Sequence, residues 1–187
     1  MKLKKCNAAV SLLTFAAMLL HMGYSAYAYL TFYYNPDLTK AFSIPLIALT
    51  CLHGVMGMCA VFFQSDGTRA DLYPKKNVRT ILQRITAALI FPLLILHINT
   101  FSLLKTTSSE GQYLLFALLI AAQILFYMVF VAHAAVSFGN ALITLGLLRS
   151  KKAQKAIDTA VCILCGALFA VTAFAVIKGQ LAMFLQS

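Results

Sequence analysis

The sequence has no tryptophan and very little acid: five Asp and Glu stand against fifteen Lys and Arg in 187 residues. Charged residues make up 11% of the chain and hydrophobic ones 61%, whereas a soluble domain carries about 25% charge. That scarcity excludes an ordinary soluble domain and indicates an integral membrane protein. The acids, Asp37, Asp66, Asp71, Glu110 and Asp158, all fall in expected loops or at segment ends. A carboxylate relay inside the membrane is therefore not expected of this chain. Nor does it show a nucleophile constellation, a metal-hydrolase set or a glycine-rich dinucleotide loop. The net charge of +10 does not point to nucleic acid, because the basic residues lie between apolar runs instead of forming a stripe. Eight Tyr and fourteen Phe supply the interfacial aromatics that Trp would otherwise provide.

Five cysteines carry no paired framework. Cys6, Cys51, Cys59, Cys162 and Cys165 all lie in or beside apolar runs. Cys162 and Cys165 make a C-x-x-C, but without a second pair or a flanking polar loop they read as small packing residues.

What remains is five long apolar segments, at about residues 6–34, 42–63, 77–104, 112–148 and 156–185. The expected fold is all-α, a five-transmembrane-helix bundle in a single membrane domain spanning 1–187. Ile85 to Leu104 alone reaches about 30 Å at the helical rise, the thickness of a hydrocarbon core. The opening Met1-Lys-Leu-Lys-Lys and the later Ser25-Ala-Tyr-Ala28 are also reminiscent of a secretory signal with its cleavage site, but the apolar run continues past Ala28 to Tyr33 and favours a retained helix. Tyr34-Asn35-Pro36-Asp37 is a turn, Ser43 a candidate cap with Pro45 in the following first turn, and Pro92 a candidate kink. The fourth segment, about 55 Å if straight, must tilt, project or bend near Ser137–Asn140.

Five crossings place alternate loops on opposite sides. One side collects Lys2, Lys4, Lys5, Arg69, Lys75, Lys76, Arg79, Arg84, Arg149, Lys151, Lys152 and Lys155, leaving Lys40, Lys105 and Lys178 for the other. The positive-inside rule then puts the N-terminus in the cytoplasm and the C-terminus outside, in a cytoplasmic (inner) membrane.

His21, His53, His97 and His133 are the only histidines, one in each of the first four segments and none in a loop. A lone core histidine would need only a carbonyl or hydroxyl partner. Four in four helices are harder to explain that way, because intramembrane ionisable groups are costly and usually functional. Neutral imidazoles in apolar surroundings are suited to the axial positions of b-type haem, and Gly23, Gly54, Gly57, Ala134 and Ala135 leave room for a flat macrocycle. Four ligands make two haems. Fractional depth between loops runs His97, His21, His53, His133 from the outside inward, pairing His21 with His97 and His53 with His133.

The motifs then become more specific. N-V-R-T-I-L-Q-R-I-T-A (77–87) with H-I at 97–98, H-A-A-V-S-F-G-N-A-L-I-T-L-G-L-L (133–148) before a basic loop, and L-H-G-V-M-G (52–57) resemble the third, fourth and second helices of the dihaem cytochrome b subunit of succinate:quinone oxidoreductases and fumarate reductases. The five-helix, four-histidine plan is similar over the whole chain, although the first segment lacks that family's usual lead-in to its histidine. The resemblance implies the same two histidine pairs. It also implies an iron–sulfur subunit and a flavoprotein subunit on the cytoplasmic side, with quinone (menaquinone or ubiquinone) in the membrane. Gln83 and Arg84, opening the third helix, are candidates to meet haem propionates, or else interfacial anchors. Ser137 and Asn140, or Asn99 and Thr100, are candidates for a quinone head. The rival readings are a cytochrome b561-like electron carrier and a small transporter or channel subunit lined by histidines.

Overall fold

The computed structural model describes residues 2–63 and 74–185. It is all-helical, with α1 (Lys2–Thr31), α2 (Pro36–Phe63), α3 (Pro74–Ser109), α4 (Tyr113–Leu145) and α5 (Lys151–Leu185). All five helices are long and apolar enough to cross a membrane.

The helix ends differ from the sequence reading in ways that local chemistry explains. α1 starts at Lys2, not near residue 6, because lysine is a good helix former whose stem tolerates the apolar boundary. It stops at Thr31, before residue 34, where Phe32 takes a left-handed φ of 55°. α2 begins six residues before the expected 42. Asn35 is its cap, its Oδ1 accepting from the backbone N–H of Asp37 at 3.0 Å and Leu38 at 3.2 Å, with Pro36 as the first helical residue. Ser43 is therefore not the cap, and Pro45 lies inside the helix. Tyr24 fastens the turn: its hydroxyl donates to the Asn35 carbonyl and accepts from the Asn35 N–H.

α3 continues past residue 104 to Ser109, and the expected 105–111 loop shrinks to a turn at Glu110–Gln112. There the hydroxyls of Thr106, Thr107 and Ser109 are satisfied on carbonyls one turn back. Pro92 sits within this unbroken helix. α4 ends at Leu145, before residue 148, because Gly146 at φ 80° closes it: Gly146 N–H donates to the Ile143 carbonyl and Leu147 N–H to that of Leu142. It runs without a break through Ser137–Asn140, and its 33 residues span about 50 Å, so it must tilt or project from a core of about 30 Å. Ser150 Oγ caps α5 by accepting from Ala153 N–H at 3.1 Å, which draws most of the expected basic loop into the helix. The predicted loop over 64–76 lies outside the described residues as far as 73; residues 74–76 open α3.

α2 packs along α1, α3 along α4, and α4 along α1, while α5 seals the groove between α1 and α4. Among the described residues, the diagonal pairs α1–α3 and α2–α4 make no extended backbone contact. The core runs through Met18, Met22, Ile90, Phe126, Tyr127 and Val176. Cys165 joins it while Cys162 faces outward.

One polar clasp ties three helices. Arg79 on α3 donates to both carboxylate oxygens of Asp158 on α5, at 3.0 and 3.1 Å, and from Nε to the Val136 carbonyl on α4 at 2.8 Å. Gly139 makes room for it: a β-carbon there would overlap Asp158 Oδ1 and come within 3.3 Å of Arg79 Nη2. In the sequence Arg79 counts among the basic topology residues and Asp158 stands at a segment end, and nothing there signals that they pair.

Candidate functional site: two histidine pairs across the bundle

Each diagonal that the backbone leaves open is bridged by imidazoles. His21 on α1 meets His97 on α3 with ring centres 6.4 Å apart, and His53 on α2 meets His133 on α4 at 6.1 Å. The ring planes cross at 89° and 61°. These are the pairs that the depth order suggested. A metal sits about 2.0–2.1 Å from an imidazole nitrogen, and the ring centre lies about 1.1 Å further back, so two imidazoles on opposite sides of one metal ion, each with a nitrogen aimed at it, have centres about 6.3 Å apart. Both pairs stand at that separation.

The hydrogen bonds fix which nitrogen is free. The His53 Nδ1–H donates to Asn7 Oδ1 at 2.8 Å, since an amide oxygen can only accept. Thr86 Oγ1 spends its proton on the Leu82 carbonyl at 2.7 Å and therefore accepts from His133 Nδ1–H at 2.9 Å. Both inner histidines are left with an Nε2 lone pair, the form that ligates a metal. His21 Nδ1 lies 3.2 Å from Ser43 Oγ. His97 is different: its Nδ1 is buried without a partner, and the ring is held by stacking on Phe126 at 4.9 Å and by the edge of Tyr127 at 5.6 Å.

A cavity of about 670 Å³ surrounds the inner pair, walled by α1 to α4. That volume lies within the range of about 300–1,000 Å³ usual for cofactor sites. Gly54, Gly57 and Ala134 line it, as the sequence suggested, and Lys4 and Arg84 put positive charge on its wall. Gly23 instead faces open space, and Ala135 packs against the core. Gln83, Ser137 and Asn140 also line the cavity and are brought together: Gln83 Nε2 donates to Ser137 Oγ at 3.0 Å, and Asn140 Nδ2 donates to Gln83 Oε1 at 3.3 Å. The alternative pair, Asn99 and Thr100, is not brought to a site; each bonds a carbonyl of its own helix, those of Ile95 and Leu96.

Sequence reasoning missed a second polar cluster, beside His97. Gln180 Nε2 donates to Gln123 Oε1 at 2.8 Å and, more weakly, to Tyr29 OH at 3.4 Å; Gln123 Nε2 donates to Tyr127 OH at 2.6 Å. Gln123 and Gln180 are 5% and 1% exposed. An amide inside an apolar run was the available signal. Asn7 and Thr86 were missed because neither stands out in the sequence from a surface asparagine or a helix threonine.

Among the described residues no group of three or more His, Cys, Asp or Glu converges as a metal-ion site. A haem would need only two protein ligands. Comparison with models of known families, with curated proteins and with solved structures gives no match.

Proposed function

We propose that this chain is a dihaem cytochrome b membrane anchor, conducting electrons between a soluble redox partner and quinone. The observation that carries this is the pair of imidazole bridges, 6.4 and 6.1 Å between ring centres, spanning the two diagonals that the helices do not close. His53 and His133 would hold the inner haem, and His21 and His97 the outer. Haem supplies reversible one-electron chemistry at iron when bound. The chain supplies the rest. Asn7 and Thr86 hold two imidazoles in the ligating form, Gly54, Phe91, Phe130 and Ala134 give the cavity apolar wall, and Lys4 and Arg84 offer cations to propionates. The two levels are offset by about 15–21 Å along the helices, counting from Asn7 to His21 on α1 and from Ser43 to His53 on α2. Both therefore fit within one hydrocarbon core of about 30 Å.

The partners follow from the motif resemblance: an iron–sulfur subunit and a flavoprotein of succinate dehydrogenase or fumarate reductase type on the cytoplasmic side, with menaquinone or ubiquinone in the membrane. The chain by itself does no dicarboxylate chemistry in this reading; it is one subunit of that complex. The basic helix ends set the orientation, with the N-terminus in the cytoplasm. For the quinone head, Ser137 and Asn140 are favoured over Asn99 and Thr100, which bond their own helix; because Ser137 and Asn140 line the same cavity as the inner histidines, the quinone head would lie against the inner haem's edge.

A pyridine haemochrome assay on the purified complex tests the core of the reading, and two b haems per chain are expected. None would favour the transporter class. Affinity purification then separates this anchor, which brings down an iron–sulfur protein, from a b561-like carrier, which does not.

A further inference from the structure

We infer that Asn7 and Thr86 are positioning residues that set the redox balance of the inner site, an inference that rests on the dihaem reading above. Asn7 is on the first turns of α1 and reaches across to α2, where its Oδ1 takes the His53 Nδ1–H at 2.8 Å. Its amide nitrogen is turned toward Gly57 and its oxygen toward the imidazole, and the Nδ1–H it accepts is the tautomer that leaves Nε2 free. Thr86 has already satisfied its own hydroxyl proton on the Leu82 carbonyl. Its remaining acceptor capacity serves His133 and nothing in its own helix. Two oxygens from two different helices thus draw on the Nδ1–H groups of the two histidines that face each other.

An acceptor on Nδ1–H makes the other nitrogen a stronger electron donor. Stronger donation stabilises the oxidised, more positive metal over the reduced one. Both bonds therefore bias the inner site toward its oxidised state. The outer pair provides an internal control, because His97 Nδ1 has no partner and His21 has only a 3.2 Å contact with Ser43. A purely structural role for Asn7 and Thr86 would tie the helices together equally well whichever direction the potential moved.

The test is optical redox titration of the haem-loaded complex, following the inner and outer waves separately. Asn7→Leu and Thr86→Val should each shift the inner balance toward the reduced form by about tenfold, which is about 59 mV for a one-electron couple. Asn7→Asp, offering a stronger acceptor, should shift it the opposite way. Thr86→Ser keeps the acceptor and should restore the parental value, and the outer wave should stay in place throughout. If Asn7→Leu does not load its haem, the opposed signs of Asn7→Asp and Thr86→Val decide the matter. Two haems in the parent with an unmoved inner wave, or shifts of one sign in Asn7→Asp and Thr86→Val, would overturn this inference alone. A parent without haem would overturn it together with the functional reading.

Discussion

Phe91 lies across Gly54 so closely that a β-carbon at residue 54 would overlap its ring. Both line the inner cavity, and Gly54 directly follows His53. Any side chain at residue 54 must push Phe91 or move α2, and either change disturbs the space beside the histidine. Gly54→Leu should therefore lower haem content from two per chain to one, with the outer redox wave retained. Two full haems in that variant, measured by pyridine haemochrome, would show that the contact is not part of the pocket.

The diagonal pairing makes a second expectation. His21→Ala and His97→Ala should abolish one and the same redox wave, and His53→Ala and His133→Ala the other. Each pair bridges helices that share no extended contact, so losing one imidazole leaves its partner without a second ligand. Redox titration of all four variants checks this. If His21→Ala and His53→Ala removed the same wave, the pairs would be wrongly drawn.

The number of helices, their apolar character and the partnership of the histidines were legible in the sequence, because long apolar runs and the depth of a polar residue within them are one-dimensional signals. Helix ends were less so. Asn35 at the cap of α2 and Ser150 at that of α5 compete with equally plausible candidates, and only the backbone shows which one caps. The Arg79–Asp158 pair joins residues seventy-nine positions apart, and separate helices give no periodic sign of such a meeting. The same holds for Asn7 against His53, and for Gln123 against Gln180.

The Arg79–Asp158 clasp predicts a stability change of intermediate size. A fully buried ion pair costs about 3–5 kcal/mol when one partner is removed, but here the side chains are 26% and 30% exposed. Arg79→Ala should thus destabilise the solubilised protein by about 1–3 kcal/mol. Gly139→Ala should cost a similar amount by crowding the carboxylate. A double-mutant cycle between Arg79→Ala and Asp158→Ala should show positive coupling; additive effects would mean that the clasp contributes nothing as a unit.

The buried amide cluster gives a different pattern. Tyr127→Phe leaves the Gln123 amide donor without its 2.6 Å acceptor in a dry setting, a loss of about 1–3 kcal/mol. Replacing both groups with apolar ones removes that orphan with the bond, while the loss of Gln180's acceptor on Gln123 is common to Gln123→Leu and the double variant and so cancels in the comparison. The double variant Gln123→Leu with Tyr127→Phe should accordingly be less destabilised than the two single changes added together. Thermal unfolding in detergent would settle it, and strict additivity would count against the bond.

The remaining expectation concerns the face that meets the soluble partner. α1 and α3 begin, and α4 ends where α5 begins, at one end of the bundle, bringing Lys4, Arg84, Arg149, Lys151 and Lys155 to the same side. Lys4 and Arg84 also line the inner cavity, so the basic face and the inner histidine pair share that end. Charge that acts through water is screened beyond about 10 Å at 0.1 M salt, so a partner held by charge alone should wash off as salt rises. A stable anchor needs packed contact over about 1,200–2,000 Å² and should resist salt. The expected result is retention of the iron–sulfur partner at high salt, and its loss when Pro74-Lys75-Lys76 becomes a flexible Gly/Ser segment. That change removes the proline that opens α3 and leaves every histidine in place, so both haems should remain. A full complement of partner after it would put docking elsewhere, and labelling of this segment from the outer face would reverse the orientation.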